Sequence, residues 1–441
     1  MQPKQIKRFV LLSGIISSVI CFNGNVDFAL LPLLPLLYGL LYYALIPHNI
    51  YLGAGFITVS VVLYIRYIVY PVELQVSNYD IIGTASLAQS AILLMCYEMF
   101  IILLVIRFAA LRDKKSAGIK PTEISHAIPI VALLVLMFIT AVHPEAFANR
   151  RWIWQSELIN EETVVVSGVL LQLAQWCEFL VIIYFFSLLW RKFLTSRKQI
   201  YYYLSILILF IPCLTYTGHS RLSLLIPLIC YIFFILKIYG TKAVGVTRFV
   251  CVYAIVAMAF LSLFKVVGSS SVAGIDGVSD YSLLNSYFAG VDNVIMGIEA
   301  YERFGMSPYY FVIDSFRNMM GVSQYFEYIP STLQHFNTAV YSHLQGFSMD
   351  QIPPTICQGL MYFGPLFCII PTIIMTLSVC YADKIFAKTT NPLLAYLCLG
   401  FVVAVAWAIP GSYMHLMTRV FNYLLPLYLL VILCKYTKVK I

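Results

Sequence analysis

Apolar runs of about 17–25 residues recur from one end of this chain to the other, and that is the length an α-helix needs to cross a bilayer. In lipid, every backbone polar group must be satisfied within the chain, so runs of this length form helices. Transmembrane β-strands are excluded because they alternate apolar and polar residues. Charged residues make up 11% of the chain, against about 25% in soluble globular domains. The expected fold class is therefore all-α, a polytopic transmembrane helical bundle.

The pattern predicts about twelve spans, or about eleven if the short first run does not cross. The predicted spans are Phe9–Phe22, Phe28–Ile46, Tyr51–Tyr70, Gly83–Ile106, Ile128–Val142, Val164–Trp190, Ile200–Tyr216, Leu222–Leu236, Phe249–Phe264, Ile356–Cys380, Leu393–Ile409 and Val420–Cys434. One long segment separates the ninth from the tenth. The predicted organisation is thus a bundle over 1–264, a large loop over 265–355 and a second bundle over 356–441.

Lysine and arginine predict the orientation, because the cytoplasmic loops of membrane proteins are enriched in both. Basic residues concentrate in loops of one parity, at 4–8, 107–120, 191–198, 237–248, 384–388 and 435–440. Both termini are therefore expected in the cytoplasm, while most acidic residues and histidines fall on the opposite face. The net charge of +8 is spread over these short loops, so it indicates topology and not nucleic-acid binding.

The cysteines and histidines show no metal-site or disulfide pattern. Nearly all of the 11 cysteines lie inside apolar runs, and neither a C-x-x-C pair nor H-E-x-x-H occurs. The cysteines are therefore expected to be small buried hydrophobic side chains, with no metal and no disulfide framework.

The segment 265–355 is too long for a simple connection, since loops beyond about 15 residues are usually functional or disordered. From Tyr281 to Phe304, apolar residues recur at three- or four-residue spacing, which predicts an amphipathic helix. Tyr309–Met320 has the pattern of a second one. The loop is rich in Tyr, Phe and Met, so we expect it to fold onto the outer face of the membrane.

Four arginines on the non-cytoplasmic side are candidates for anion binding. Arg221 opens the eighth predicted span and Arg419 the twelfth, at one predicted depth, while Arg303 and Arg317 lie in the large loop. The planar guanidinium matches phosphate oxygens and stays protonated. Arginine at membrane depth usually faces a cavity or a partner. The four together predict a cationic pocket; the alternative is that each extends to the lipid headgroups.

His343 is the candidate general base, because imidazole titrates near neutral pH. It lies in Tyr-Ser-His-Leu-Gln-Gly, shortly before Pro353-Pro354 at the entry to the tenth span. His335, in the same loop, is a reserve candidate with weaker support. The alternative for either residue is an interfacial or structural histidine.

Three charged residues lie inside predicted spans. Glu98 and Glu178 would relay protons in a transporter, but such carboxylates also make helix–helix hydrogen bonds or stay neutral, and with two of them we expect the second role. Arg66, near the outer end of the third span, is expected to pair with a loop carboxylate or a headgroup.

Three motifs carry a family resemblance. Thr217-Gly-His-Ser-Arg-Leu leads into the eighth span, and Thr418-Arg419-Val-Phe opens the last. Between them, His343-x-x-Gly346 and Pro354 precede Gln358-Gly359-x-x-Tyr362-Phe363-Gly364. In these motifs and in its single large outer loop, the chain resembles the Wzy-type polymerases of bacterial O-antigen and related surface polysaccharides. It departs from them at His219, where relatives often have a small residue.

The resemblance implies a glycosyltransferase without a cofactor that polymerises undecaprenyl-diphosphate-linked repeat units at the periplasmic face of the bacterial inner membrane. It implies that Arg221 and Arg419 bind the diphosphate and that His343 is the base. The implied substrate-binding residues are His219, Ser220, Arg303, Arg317, His335 and Gly346. The implied partners are the lipid-linked glycans, the bilayer and a chain-length regulator protein.

Two other functions stay open. O-antigen ligase shares the large outer loop and the use of Arg and His, but its acceptor is lipid A–core instead of another repeat unit. A lipid-linked oligosaccharide flippase suits about twelve spans. The single large loop and the lack of half-to-half repetition count against the flippase.

Overall fold

A computed structural model of the chain describes residues 3–22, 29–76, 83–112, 117–120, 126–147, 150–152, 168–217, 222–270, 288–326, 328–343 and 352–436. In chain order the helices are α1 (Pro3–Phe22), α2 (Leu33–Leu45), α3 (Ala54–Tyr64), α4 (Tyr70–Val76), α5 (Ala85–Ala109), α6 (Ala127–Val142), α7 (Gly168–Ser196), α8 (Gln199–Phe210), α9 (Leu222–Tyr239), α10 (Val244–Ser270), α11 (Val291–Phe304), α12 (Pro308–Phe316), α13 (Thr332–His343), α14 (Thr355–Phe367), α15 (Ile370–Lys388), α16 (Pro392–Ala408), α17 (Tyr413–Arg419) and α18 (Leu425–Tyr436).

Shorter elements join some of these helices. Two π-helical turns, Ile65–Val69 and Val420–Leu424, lie between α3 and α4 and between α17 and α18. Two three-residue strands, β1 (Arg150–Trp152) and β2 (Thr215–Thr217), pair antiparallel with Arg150 opposite Thr217.

The expected helical membrane fold is confirmed in its main feature. Among the described residues, 7 helices are long and apolar enough to cross a membrane. They are Pro3–Phe22, Ala54–Val76, Ala85–Ala109, Gly168–Ser196, Leu224–Ala257, Ile370–Lys388 and Tyr413–Cys434. Shorter apolar helices cover Leu33–Leu45, Ala127–Val142, Gln199–Cys213 and Pro392–Ala408.

The chain forms two compact units, each assembled from separate stretches. The first comprises Met1–Lys114, Ser279–Lys384 and Ala404–Phe421, and the second comprises Lys115–Val278, Ile385–Val403 and Asn422–Ile441. The helices of the large loop, α11 to α13, belong to the first unit.

In the first unit, α1 and α2 approach closely because glycines line their contact. A Cβ added at Gly14 would lie 2.5 Å from the carbonyl oxygen of Pro35 and 3.1 Å from Cα of Gly39. Tyr38 of α2 is fully buried, and its ring lies 5.7 Å from the buried ring of Tyr67. Small residues let the backbones meet, as is common where membrane helices pack.

The predicted tenth span, Ile356–Cys380, is not one continuous helix. Gly364 has a φ of 73°, in the left-handed region that glycine adopts readily, and Pro365 follows it. The helix breaks there, and α15 is the part of this region long enough to cross a membrane. The prediction of one unbroken span was therefore wrong, because hydropathy alone does not register a helix break inside an apolar run.

The chain reverses direction at this break. The hydroxyl of Thr355, at the start of α14, lies 3.6 Å from the sulfur of Met375 in α15. Further along α14, the backbone of Gly359 directly approaches the carbonyl of Cys368. The first part of α14 and α15 therefore run antiparallel as a helical hairpin.

The two helices predicted in the large loop are present over Val291–Phe304 and Pro308–Phe316. The first predicted helix is interrupted, because Ala289 has a φ of 49° and Gly290 is extended. The second ends at Phe316, four residues before the predicted end at Met320. The start of the first predicted helix, 281–287, lies outside the described residues.

Aromatic rings fill the interior of the second unit. The ring of Phe234 lies 5.5 Å from that of Phe186 and 5.1 Å from that of Tyr396. The apolar stretch Leu224–Ala257 comprises two helices, because Gly240 has a φ of 56° and ends α9. One straight helix of that length would measure about 50 Å, against about 30 Å of hydrocarbon.

Candidate functional site

α12 of the large loop lies directly beside α17, where the last candidate span begins. The ring of Phe311 stacks on that of Tyr413, with centroids 5.3 Å apart. Further along, just past the end of α12, the amide of Asn318 donates a hydrogen bond of 3.0 Å to the hydroxyl of Thr418 in α17. A stretch of loop and the start of a span thus form one packed surface.

Two of the predicted arginines are the chain neighbours of that contact. Arg317 precedes Asn318, and Arg419 follows Thr418. The Arg317 guanidinium donates a hydrogen bond to the carbonyl oxygen of Ile329, so it stabilises the fold of the loop. Arg419 is half-buried and has no acidic partner among the described residues. The half-buried, unneutralised Arg419 is therefore the stronger candidate to contact an anion.

Asp314 is a buried residue whose hydrogen bonds connect the helices of the loop to α14. Its side chain is 0% exposed, and the Tyr362 hydroxyl of α14 donates a hydrogen bond of 2.6 Å to Oδ2. The hydroxyl of Thr332, at the start of α13, donates to the same oxygen. Burial raises the pKa of the Asp314 carboxyl, while these hydrogen bonds and the charge of Arg317 oppose that rise. One carboxyl therefore joins three helices.

Gln358 extends this network to α17. Its Oε1 accepts a 2.7 Å hydrogen bond from the backbone N–H of Tyr413 and a 3.4 Å bond from the hydroxyl of Ser412. Its Nε2 donates to Thr332 Oγ1 over 3.2 Å. An unpaired buried amide is costly, so the bonds of Gln358 fix the start of α17 against α13 of the loop. They thereby also fix the position of Arg419 at the end of α17.

Arg66 forms a second buried polar centre. It lies in the π-helical turn Ile65–Val69, a type of irregularity frequent at functional sites. Its side chain and that of Glu98 are both 0% exposed, and Nη2 lies 2.9 Å from Glu98 Oε2. Nη1 donates to the carbonyl oxygen of Pro410 over 3.1 Å. Tyr67 and Thr372 each donate to the carboxylate over 3.4 Å.

This pairing corrects the expectation for Arg66. A loop carboxylate or a headgroup was expected, but the partner is Glu98 of α5. The helix–helix contact expected of Glu98 is present, in the form of an ion pair. In the structure the two spans are Ala54–Val76 and Ala85–Ala109, and both residues lie well inside them. The predicted third span ended at Tyr70, so the sequence placed Arg66 too close to the boundary to suggest this pair.

His335 is enclosed by aromatic rings. Its side chain is 9% exposed, and its ring centroid lies 4.1 Å from that of Phe304 and 5.2 Å from that of Tyr310. Nε2 has no hydrogen-bond partner among the described residues. Burial lowers the pKa of His335. The ring is therefore held neutral inside the loop, and Nε2 faces protein atoms.

We expect this histidine to make the loop less stable in acid. Because its pKa is lower in the folded than in the unfolded protein, the unfolded state binds the extra proton first. The stabilisation is complete above the unfolded pKa of about 6.5 and is lost as the pH falls towards the folded value. Thermal unfolding of the purified protein at pH 7.5 and 5.5 should show a smaller loss for His335→Phe than for the unchanged chain. Equal losses would contradict the assignment.

The other candidates are less completely described. Arg303 lies in the last turn of α11, partly exposed, with Nη2 4.0 Å from Glu299 Oε2. His343 is the last residue of α13. The remaining predicted residues, His219, Ser220, Arg221 and Gly346, lie outside the described part of the chain.

Sequence reasoning missed Asp314, Gln358 and Tyr362 as site residues. Gln358 and Tyr362 stand one helical turn apart within a motif that carried the resemblance, so they share a helix face. Asp314 interrupts an apolar stretch between Phe311 and Phe316. A carboxylate in such a stretch is the signal that a buried partner exists.

Comparisons of the whole chain with protein-family models, with curated proteins and with solved structures find no match.

Proposed function

We propose that this chain is a membrane glycosyltransferase that polymerises repeat units carried on a polyprenyl diphosphate. The observation that carries the proposal is the contact between α12 and α17, which has Arg317 on one side and Arg419 on the other. A diphosphate on a lipid is an anion held at the membrane boundary, where an arginine with no acidic partner in the described part of the chain suits it. We place the attached glycan against the large loop beside this arginine.

The proposed topology has about twelve spans, with both termini in the cytoplasm and the loop 265–355 on the periplasmic side of a bacterial inner membrane. The loops rich in lysine support this orientation. The 7 long apolar helices and the shorter ones support the count, since short helices still cross when the bilayer thins or flanking residues extend.

In the proposed reaction, a hydroxyl of the incoming repeat unit attacks the anomeric carbon of the growing glycan. The new bond joins the acceptor oxygen to that carbon, and the bond from the carbon to the diphosphate oxygen breaks. The diphosphate leaves with the electron pair on its lipid carrier. The hydroxyl proton passes to a base, for which we propose His343.

Arg419, with Arg221, would stabilise the negative charge that develops on the leaving diphosphate. We assign His335 a supporting role within the loop, because its buried ring packs on Phe304 and Tyr310. The bonds of Gln358 to Tyr413 and Thr332 keep α17 aligned with the loop while the substrate binds.

The test is complementation of a strain that lacks the gene. Arg221→Ala, Arg419→Ala and His343→Ala should each reduce polymer formation by a factor of about 100 or more, as expected when a charge-stabilising or proton-transfer group is lost. The measurement is the ladder of surface polysaccharide on a gel, with protein level checked by immunoblot. Arg248→Ala, an exposed arginine on the lysine-rich side, is the matched control and should leave the ladder unchanged.

The pattern of failure separates the other functions. A polymerase defect leaves a single repeat unit on lipid A–core, whereas a ligase defect leaves lipid A–core bare. Accumulation of repeat units on the cytoplasmic leaflet would indicate a flippase. Full-length ladders from all three alanine variants would reject the polymerase.

A further inference from the structure

The surface of α12 and the turn after it is unusually apolar for a loop. Along α12, Tyr309, Val312 and Phe316 are exposed at helical spacing, and Met320 continues the stripe into the turn. At the far end of the turn, Tyr325 is 74% and Tyr328 is 93% exposed. Large exposed apolar surfaces of this kind mark contact with a partner or a membrane.

This stretch of the chain has few charged residues. From 304 to 328 the sequence contains three, Asp314, Arg317 and Glu327. Asp314 is fully buried, and Arg317 is bound to the carbonyl oxygen of Ile329. A water-exposed loop would be expected to carry charge at about one residue in four.

The neighbours of α12 place it beside a candidate membrane span. α12 and α17 run side by side in the same direction, since Ser315 contacts Tyr413 and Phe316 packs on Phe421 with ring centroids 5.6 Å apart. Tyr413 begins the candidate span Tyr413–Cys434. At about 1.5 Å per residue, Phe421 lies about 12 Å further along that span. The end of α12 therefore lies beside the first part of this candidate span.

The backbone of the turn after α12 is bonded internally in part, as a segment in lipid requires. The N–H groups of Met319, Val322 and Tyr325 each donate to the carbonyl oxygen three residues earlier, over 2.9 Å, 3.0 Å and 3.0 Å. These bonds reduce the number of polar backbone groups in the turn that would face hydrocarbon.

We propose that residues 308–326 form a re-entrant element that dips into the bilayer beside α17, with its outer surface against lipid. Tyr309, Val312, Phe316 and Met320 contact acyl chains, and Tyr325 and Tyr328 lie among acyl chains and headgroups, where tyrosine is favoured. This inference depends on the chain being a membrane protein and not on the enzymatic activity proposed above. The sequence predicted that the large loop folds onto the outer face of the membrane, whereas we propose that part of the loop is inserted in the bilayer.

Photo-crosslinking in liposomes tests this placement. p-Benzoylphenylalanine replaces Phe316 or Tyr325, a conservative change for an exposed aromatic residue, and the protein is reconstituted into phosphatidylethanolamine–phosphatidylglycerol vesicles. The positive control is the same substitution at Tyr381, which is 68% exposed on α15. The negative control is Glu302, an exposed acidic residue of α11. Lipid adducts are counted by mass spectrometry after irradiation.

The yield of lipid adduct at Phe316 and Tyr325 should match that at Tyr381 within a factor of about 2 and exceed that at Glu302 by a factor of about 5 or more. Yields equal to that at Glu302 would overturn the proposal, as would adducts mainly to protein or to an added soluble oligosaccharide. If the substitution at Phe316 impairs folding, Tyr328 takes its place, because its side chain is almost fully exposed.

Discussion

Replacing Arg66 with leucine is expected to destabilise the protein by about 3–5 kcal/mol, because Glu98 would be left as an uncompensated carboxylate in the interior. Both side chains are 0% exposed and their charged atoms lie 2.9 Å apart. The Pro410 carbonyl, which also accepts from Arg66, would lose a hydrogen bond in the connection that precedes α17. Thermal unfolding of the detergent-purified protein, followed by circular dichroism, measures the loss.

A double-mutant cycle distinguishes this ion pair from general packing. Arg66→Leu and Glu98→Leu should each be costly, whereas the double variant should be more stable than either, since a buried pair replaced by apolar side chains is often neutral. Arg107→Leu, at the exposed end of α5, is the matched control and should change stability by less than about 0.5 kcal/mol. Additive losses from the two single changes would show that the pair is not coupled.

Gly359→Ala is expected to be the next most damaging change, with a loss of about 3 kcal/mol, the upper end for overpacking. A Cβ at this position would overlap the backbone carbonyl of Cys368, across the hairpin formed by α14 and α15. Backbone atoms cannot rotate out of the way as a flexible side chain can, so the two helices would have to separate. The bonds from Gln358 to Tyr413 and from Tyr362 to Asp314 would then weaken.

The matched control is Gly411→Ala, where the nearest atom to the new Cβ is the carbonyl oxygen of Ala408 at 3.4 Å, an ordinary contact. Fluorescence-detected size-exclusion chromatography after heating gives the melting temperature of both variants. Similar melting temperatures for Gly359→Ala, Gly411→Ala and the unchanged chain would contradict the close approach of α14 to Cys368. Loss in Gly359→Ala alone would support the hairpin.

Some features of the large loop followed from its sequence. The spacing of apolar residues predicted helices over Tyr281–Phe304 and Tyr309–Met320, because an amphipathic stripe depends on near neighbours along the chain. The structure has helices there over Val291–Phe304 and Pro308–Phe316. The anchoring of these helices did not follow. Asp314 meets Tyr362 across 48 residues, and no local pattern specifies which side of each helix faces the other.

The sequence by itself determined that this chain is a helical membrane protein, and its lysine distribution predicts the orientation. The helical fold and the orientation each depend on the composition of single segments. In lipid, each apolar run must hydrogen-bond its own backbone groups, and the Lys and Arg content of each loop indicates its side of the membrane. Only the tertiary structure decided that Arg66 pairs with Glu98, that the predicted tenth span breaks at Gly364, and that α12 lies beside Arg419. Those facts depend on the rotation and depth of each helix relative to its neighbours, and a nearly uniform apolar surface leaves both undetermined until the helices pack.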